Sequence, residues 1–417
     1  MADHRRHADR RIRWWGLSLV AAGALTALLA AGAAALTLFV ARTVVTPPKR
    51  REENIRVLSV DLEARTVVLS STPDSRLPGD YGFWFAGDGG YARIGEILAS
   101  TPTTVTRRLI DVLFGDLETA ARGRLSGWYY LDPTELGYPY DDVEVPTELG
   151  PAPAWLVSPA GQRADGRMPW VIQVHGRAVR RAETIRATPI FREAGYTTLM
   201  VSYRNDGDAP YSADRRYGLG DTEWRDVDAA MAYAIEHGAT DLVLMGWSMG
   251  GATVLQALTR SEHTGLVRGI ALDSPVIDWI TALRYQGTLN RLPTPISTAV
   301  LAVLGNPWGR RLTGQGMAID LSRLNFVTRA AELTVPILLM HSQDDGFVPV
   351  TASRALAEER PDIVDFELFT GAAHCKLWNY DRPRWSAAIR DWLAVLPLTA
   401  PQSDSPQSGS PQSDSGD

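Results

Sequence analysis

Short apolar runs recur along the chain and change character near residue 141. Between residues 54 and 140, the runs Ile55–Val60, Thr66–Ser70, Tyr81–Phe85 and Tyr91–Ile97 are separated by turns rich in Asp, Gly and Pro. Their alternating pattern predicts short strands. This region is expected to be small and mostly β, packed on the larger region C-terminal to it. From residue 141 the runs become continuously apolar: Trp155–Val157, Trp170–Val174, Thr197–Ser202, Leu242–Met245, Gly269–Leu272, Ile337–Met340 and Phe366–Phe369. Helix-length segments such as Thr222–His237 and Thr351–Glu359 lie between them. Strands buried on both faces read this way. Their alternation with helices predicts an α/β fold, a mostly parallel sheet with helices on both faces.

The two ends are different material. Trp14 to Ala41 carries no charged residue. As a helix it would be about 42 Å long, enough to cross a hydrocarbon core of about 30 Å. Arg5, Arg6, Arg10, Arg11 and Arg13 precede it, and Trp14 and Trp15 sit where an interfacial belt would lie. A signal peptide has an apolar stretch of about 7–15 residues, shorter than this one. The expectation is a single-pass cell-membrane anchor, with secretion after cleavage as the alternative. Arg42, Lys49, Arg50 and Arg51 follow closely, so the charge bias is slight; it leans towards a cytoplasmic N-terminus and an extracytoplasmic catalytic domain. At the other end Pro401–Ser415 repeats as PQSDS, PQSGS, PQSDS, an apolar-free composition that predicts disorder. The expected organisation is a basic tail (1–13), a transmembrane anchor (14–41), a stiff charged linker (42–53), a β-rich region (54–140), a catalytic domain (141–398) and a disordered tail (399–417).

Composition narrows the function classes. Of 417 residues, 45% are hydrophobic and 22% charged, ample for a large core. The net charge is −6, with no basic stripe interleaved with aromatics, so no nucleic-acid partner is expected. Cys375 is the one cysteine, which excludes an intrachain disulfide and a cysteine-based metal site.

Residues 244–253 read LMGWSMGGAT. Ser248 follows a strand run, and Gly250, Gly251 and Ala252 open a helix-like segment. This is the strand–turn–helix context of a nucleophile elbow, with Gly246 and Gly250 letting the two backbones approach closely. A serine hydroxyl needs a base to take its proton. Among seven histidines, His4 and His7 precede the apolar span, His237 ends a helix and His263 lies in a polar loop. His374, in the loop Phe369–Cys375 after the last strand, is the expected base. His341 begins the loop that should supply the acid, and there Asp345 is chosen over Asp344, which is read as a turn residue. The order Ser248, Asp345, His374 excludes both common protease orders. The oxyanion hole is expected from the N–H groups of Met249 and Arg177, with Gly176 as the fallback. His175 is read as bonding loop backbone. With Gly176 and Trp247 it is placed around the substrate.

From about residue 141 to 396 the chain resembles the α/β-hydrolase superfamily, in particular its prolyl-oligopeptidase-like and dienelactone-hydrolase-like serine hydrolases. The residues carrying the resemblance are His175-Gly176 after a strand, Gly246-Trp247-Ser248-Met249-Gly250, Asp345 in D-x-x-V-P, and Gly371-Ala372-Ala373-His374. Ser202-Tyr203-Arg204-Asn205 and Ala271-Leu272-Asp273-Ser274-Pro275 fit the same layout. The N-terminal region resembles membrane-anchored hydrolases of actinobacterial type. The resemblance implies a serine hydrolase acting on a small-molecule ester or amide, with esterase or lipase action first and peptidase or acyltransferase action as alternatives. It implies no metal and no organic cofactor. It departs from the pattern after the histidine, where Cys375-Lys376-Leu377-Trp378-Asn379 replaces a plain small-residue stretch. A catalytically silent binding module is the reading from a different class.

Residues 279–325 are long for a plain crossover and fall where this fold carries its cap, so a lid is expected. Arg177, Arg180, Arg181 and Arg186 are read as a solvated helix face paired with Glu183, rather than as an attractor for an anionic substrate. Tyr81, Phe83, Trp84 and Phe85 are read as a core stripe, and Cys375 as a small hydrophobe.

Overall fold

Side chains alternating across each strand build two separate sheets. The structure, a computed structural model, describes residues 26–49, 51–161 and 163–397. Helix α1 (Thr26–Val45) is followed by β1 (Ile55–Asp61), β2 (Thr66–Ser70), β3 (Tyr81–Phe85), β4 (Gly90–Ser100), β5 (Thr104–Phe114) and β6 (Arg122–Ser126). These six strands close into an antiparallel barrel in the order β1-β2-β5-β4-β3-β6. Tyr81, Phe83 and Phe85 fill its interior with Ile55, Val67, Leu69, Ile94 and Leu109. Trp84, from the opposite pleat, packs outside against Tyr91, Trp128 and Trp155. The aromatic run is therefore core on both of its faces.

The second sheet has eight strands: β7 (Asp141–Thr147), β8 (Gly150–Val157), β9 (Pro169–Val174), β10 (Thr197–Val201), β11 (Asp241–Trp247), β12 (Val267–Asp273), β13 (Ile337–Ser342) and β14 (Val364–Phe369). Their order is β14-β13-β12-β11-β9-β10-β8-β7. Pairing is parallel from β14 to β10, and antiparallel for β10 with β8 and for β8 with β7. Prolines 146, 151 and 153 sit in this terminal hairpin, where the edge tolerates a missing N–H. Alternate residues of the central strands face opposite layers. Ile172, Leu244, Leu272 and Leu339 pack under α3 (Trp224–Glu236), α4 (Met249–Leu258) and α8 (Thr351–Glu359), whereas Val171, Met245, Ala271 and Met340 pack under α2 (Thr188–Glu193) and α10 (Arg382–Val395). The short helix α9 (Leu377–Tyr380) precedes α10.

Between β12 and β13 the chain makes an excursion of three helices: α5 (Trp279–Leu289), α6 (Thr294–Gly305) and α7 (Arg310–Thr313). Its two ends are clasped by an isolated bridge between Asp278 and Asn325, and the Phe326 N–H donates to Ile277 O at 2.9 Å.

Helix α1 is long and apolar enough to cross a membrane, with a mean hydropathy of 2.0. It continues past Ala41 through Arg42, beyond the expected end of the apolar span. Its first turns are exposed, but Ala41 and Val45 are fully buried in the main core. The Tyr217 N–H donates to Val45 O at 2.8 Å and Arg42 Nε donates to Leu312 O at 2.8 Å. The basic tail, Trp14 and Trp15, residues 14–25 of the expected span, and the Pro401–Ser415 repeat lie outside the described residues.

Strand β5 was hidden in the pattern by an inward arginine. Arg107 has no exposed surface and donates to four backbone carbonyls: Gly95 (2.8 Å), Ser75 (3.1 Å), Leu77 (2.8 Å) and Gly79 (2.6 Å). Arg107→Met keeps the stem but leaves those carbonyls unpaired, which should cost about 3 kcal/mol of barrel stability. Amide hydrogen exchange in β3–β5 should then accelerate by roughly 100-fold, while Arg108→Met, at a half-exposed position, should change it little. Equal exchange in the two variants would contradict the role given to Arg107.

Candidate active site

The parallel strands end together, and the loops after them carry the polar residues. Ser248 stands between β11 and α4 with φ 51° and ψ −116°. This is sparsely populated for a residue with a Cβ and costs about 1–3 kcal/mol. The neighbours enforce it. A Cβ at Gly246 would lie 2.5 Å from Gly250 O, and one at Gly250 would lie 2.2 Å from Val174 O. Only hydrogen at both positions lets strand and helix approach this closely. The Ser248 N–H donates to Asp273 O at 3.1 Å, and its own carbonyl accepts from Gly251 and Val276.

His374, on the loop after β14, places Nε2 2.9 Å from Ser248 Oγ and Nδ1 2.7 Å from Asp345 Oδ2. Asp345 Oδ1 accepts the Phe347 and Val348 N–H groups, both at 2.8 Å. His341 Nε2 lies 3.2 Å from Asp345 Oδ2, while His341 Nδ1 meets Ser353 Oγ at 2.8 Å. Burial alone would push the Asp345 carboxyl up. The adjacent His374, with hydrogen bonds from His341 and His374, outweighs it and holds the group well below the usual carboxylate range. Asp344 lies in the turn after β13, and its Oδ2 accepts the Gly371 N–H at 2.6 Å, which ties that turn to the His374 loop. The sequence-chosen serine, acid and base are thus brought into one hydrogen-bonded chain.

The loop after β9 passes directly over Ser248. A Cβ on Gly176 would lie 3.3 Å from Ser248 Cβ. The Gly176 N–H donates to Glu183 Oε2 at 2.8 Å, and its carbonyl is bonded by Tyr203 Oη and His175 Nδ1. The Ala178 N–H donates to Asp206 Oδ2 at 2.9 Å. Between these two tethered amides, the Arg177 N–H donates no hydrogen bond within the described residues, and neither does the Met249 N–H at the start of α4. Gly176 is therefore not the fallback donor: its N–H is already used by Glu183.

Three other expectations need correcting. Trp247 has no exposed surface and packs in the core beside Met245, Trp378 and Trp385, with the Arg186 guanidinium 5.5 Å above its ring. It supports the elbow from beneath and offers no face to a substrate. His175 is equally buried, stacked 4.2 Å from the Tyr203 ring, and burial pulls its pKa down to about 3, so it stays neutral. It holds loop backbone and does not reach a substrate. The arginine run is not a solvated helix face. Glu183 is buried on Gly176 and not paired with it. Arg186 is buried and donates to Cys375 O at 2.9 Å, with Gly127 O and Asn379 Oδ1 alongside. Arg177 sends its Nη2 to Thr43 O, Val44 O and Thr46 O at the end of α1.

Sequence reading named Glu183, Arg186 and Tyr203 without their present roles and passed over Asp206; all four tie the loops together. A polar residue that will be buried looks the same in sequence as an exposed one. Cys375 packs in the core, and burial pushes its thiol well above the ordinary value, leaving it unreactive. Among the described residues no group of three or more His, Cys, Asp or Glu side chains gathers as a metal site.

Asp206 carries a pH signature. Burial pushes its carboxyl up to about 6, against opposing bonds from the Tyr217 hydroxyl and the Ala178 N–H. Its folded value lies above the unfolded value of about 3.9, so the folded state holds the proton longer. The stability this favours is present below about pH 4 and lost as pH rises to about 6. Asp206→Asn should flatten the thermal midpoint across that window relative to the parent protein. An identical slope in the two proteins would contradict the assignment.

Residues 56–126 match the family model described as "Domain of unknown function (DUF8805)", and residues 184–396 match that of the "Prolyl oligopeptidase family". Among curated proteins, the chain is 23% identical over 202 residues to the uncharacterized protein YfhR of Escherichia coli K12, covering 48% of this chain and 61% of that one. It is 24% identical over 198 residues to protein ABHD12B of Homo sapiens, covering 46% and 49%. The match thus spans less than two thirds of either relative. Similar solved structures include the Pyrococcus furiosus esterase Pf2001, with 18% identity, TM-score 0.48 and coverage of 64% of this chain and 94% of that one. Another is a puromycin-hydrolyzing peptidase of Mycobacterium tuberculosis, with 17% identity, TM-score 0.47 and coverage of 79% and 44%. With just over half of its residues inside the second family match, the chain belongs to the prolyl oligopeptidase family and is a serine hydrolase of the α/β-hydrolase superfamily.

Proposed function

We propose that this chain hydrolyses a carboxylic ester through a covalent acyl-enzyme on Ser248. The observation that carries this reading is the continuous Asp345–His374–Ser248 hydrogen-bonded chain beneath two undonated backbone N–H groups. His374, with its Nδ1–H directed at Asp345, presents a lone pair on Nε2 to the serine hydroxyl. It accepts that proton as Ser248 Oγ attacks the carbonyl carbon. The negative charge that develops on the carbonyl oxygen is met by the N–H groups of Met249 and Arg177. His374 then returns the proton to the leaving alkoxide. Water, activated by the same imidazole, attacks the acyl-enzyme and releases the acid and Ser248. Asp345 stays ionised throughout and stabilises the transient imidazolium.

Amide hydrolysis uses the same groups and is the second reading, favoured by the family to which the chain belongs. The excursion α5–α7 acts as the cap: Tyr285 Oη donates to Asp345 O at 3.3 Å and Gln286 Nε2 to Phe347 O at 2.6 Å, so it rests on the loop that carries the acid. Helix α1 serves as the membrane anchor, with the catalytic region outside the cytoplasm.

The test is turnover of a p-nitrophenyl ester series of increasing acyl length beside aminoacyl p-nitroanilides, using the full chain in detergent. Esters should be cleaved faster than anilides. Ser248→Ala and His374→Ala should each lower kcat by about 10⁴-fold or more without lowering the thermal midpoint. Turnover within tenfold of the parent in the folded Ser248→Ala protein would reject the assignment.

A further inference from the structure

A cavity of about 870 Å³ lies between the barrel, the segment after α1 and the loops after β9 and β10. Ser248 is not among its lining residues. Its walls carry seven basic side chains, Lys49, Arg51, Arg124, Arg180, Arg181, Arg215 and Arg216, against Asp88, Asp206 and Asp208. The three carboxylates are already engaged. Asp88 pairs with Arg124 at 2.8 Å, Asp208 lies 3.7 Å from Arg181 and 3.8 Å from Arg180, and Asp206 is held by Tyr217 and the Ala178 N–H. Among the described residues, the side-chain nitrogens of Lys49, Arg51, Arg215 and Arg216 have no carboxylate oxygen within 4.0 Å.

Ring faces also hold the cations: Arg124 and Arg181 have an acid and a ring each, whereas Arg51 and Arg215 have a ring and no acid. Arg51 stands 6.0 Å over Trp128, Arg124 5.5 Å over Trp84, Arg181 4.2 Å over Trp155 and Arg215 5.1 Å over Tyr211. Ring faces position a guanidinium without neutralising its charge. Burial, and then repulsion from Arg124, lowers the pKa of Arg51 from its ordinary value. Such a concentration of uncompensated positive charge in a concave, partly dry site opposes folding by itself and focuses potential on an anion.

We infer that this cavity binds a phosphate-bearing ligand, its phosphate held by Arg51, Arg124 and Arg215 and its organic body in the rest of the volume, beside Pro47, Leu131 and Tyr211. Guanidinium forks match phosphate oxygens in pairs. The volume is that of a small-molecule site and exceeds what inorganic phosphate would fill. Thr46 to Lys49, which line one wall, directly follow α1. The phosphate is therefore that of a membrane-lipid headgroup or of a soluble phosphate ester. The inference stands apart from the hydrolase reading, because none of Arg51, Arg124 and Arg215 belongs to the Ser248 site.

The experiment is isothermal titration of the full-length Ser248→Ala protein in neutral detergent, so that no probe is consumed. The probes are sn-glycerol 3-phosphate, dihexanoyl phosphatidic acid and, as the uncharged control, dihexanoylglycerol. Saturable binding of a phosphate probe that weakens with added salt, and no binding of the control, is expected. Equal affinity for the two phosphate probes assigns a soluble ester; binding of the phosphatidic acid alone assigns a lipid headgroup. Arg51→Gln with Arg215→Gln should weaken binding by about tenfold or more, whereas Arg390→Gln, on the exposed face of α10, should not. Should the double variant fail to fold, Lys49→Gln with Arg180→Gln, both exposed, should still weaken binding by roughly threefold. No saturable binding of either phosphate probe up to about 10 mM, or unchanged affinity in the folded variants, would overturn the inference.

Discussion

The close approach of β11, α4 and the end of β9 is the constraint on which the rest depends. Glycine at 246 and 250 removes the two side chains that would hold these backbones apart. Ser248, left at the apex, is forced into a positive-φ conformation that lifts its hydroxyl clear of the sheet. A local cost of about 1–3 kcal/mol persists only because the surrounding packing over-determines it. The elbow is fully buried below, by Trp247 and the α10 tryptophans, and bonded to β12 through Asp273 O. The geometry at Ser248 is thus a property of the whole sheet.

Rigidity spreads outwards through buried charged side chains. Arg186 joins the His374 loop to the last turn of the barrel by bonding both Cys375 O and Gly127 O. Glu183 fixes Gly176, and Asp206 fixes Ala178, so the residue between them is oriented by its neighbours. The guanidinium of that residue, Arg177, bonds three carbonyls at the end of α1. The apolar helix, the loop beside Ser248 and the His374 loop are consequently parts of one bonded framework.

Much of this was legible in the sequence, for definite physical reasons. Strands buried on both faces are apolar throughout, so β9 to β13 stood out. The elbow announces itself because its steric demands restrict positions 246 and 250 to glycine. Asp345 and His374 could be picked because each sits just after a strand end. The features that stayed hidden were polar and buried. Arg107 broke the alternation of β5 from inside the barrel, and the Arg186 and Glu183 side chains looked like an ordinary charged surface. Trp247 adjoins Ser248 in sequence, yet as a strand residue it faces the layer opposite α4, and the loop residue His175 is stacked on Tyr203 with Nδ1 on Gly176 O. Local pattern encodes which face a residue takes, but not which distant carbonyl a buried guanidinium will find.

On the proposed reading, His374 makes Ser248, and no other serine, a nucleophile. The most direct measurement is to treat the full-length protein with a fluorophosphonate and locate the adduct by peptide mass spectrometry. One stoichiometric adduct is expected, on the peptide containing Ser248 and absent from the folded His374→Ala protein. An adduct on a different serine, or undiminished modification of Ser248 without His374, would contradict it.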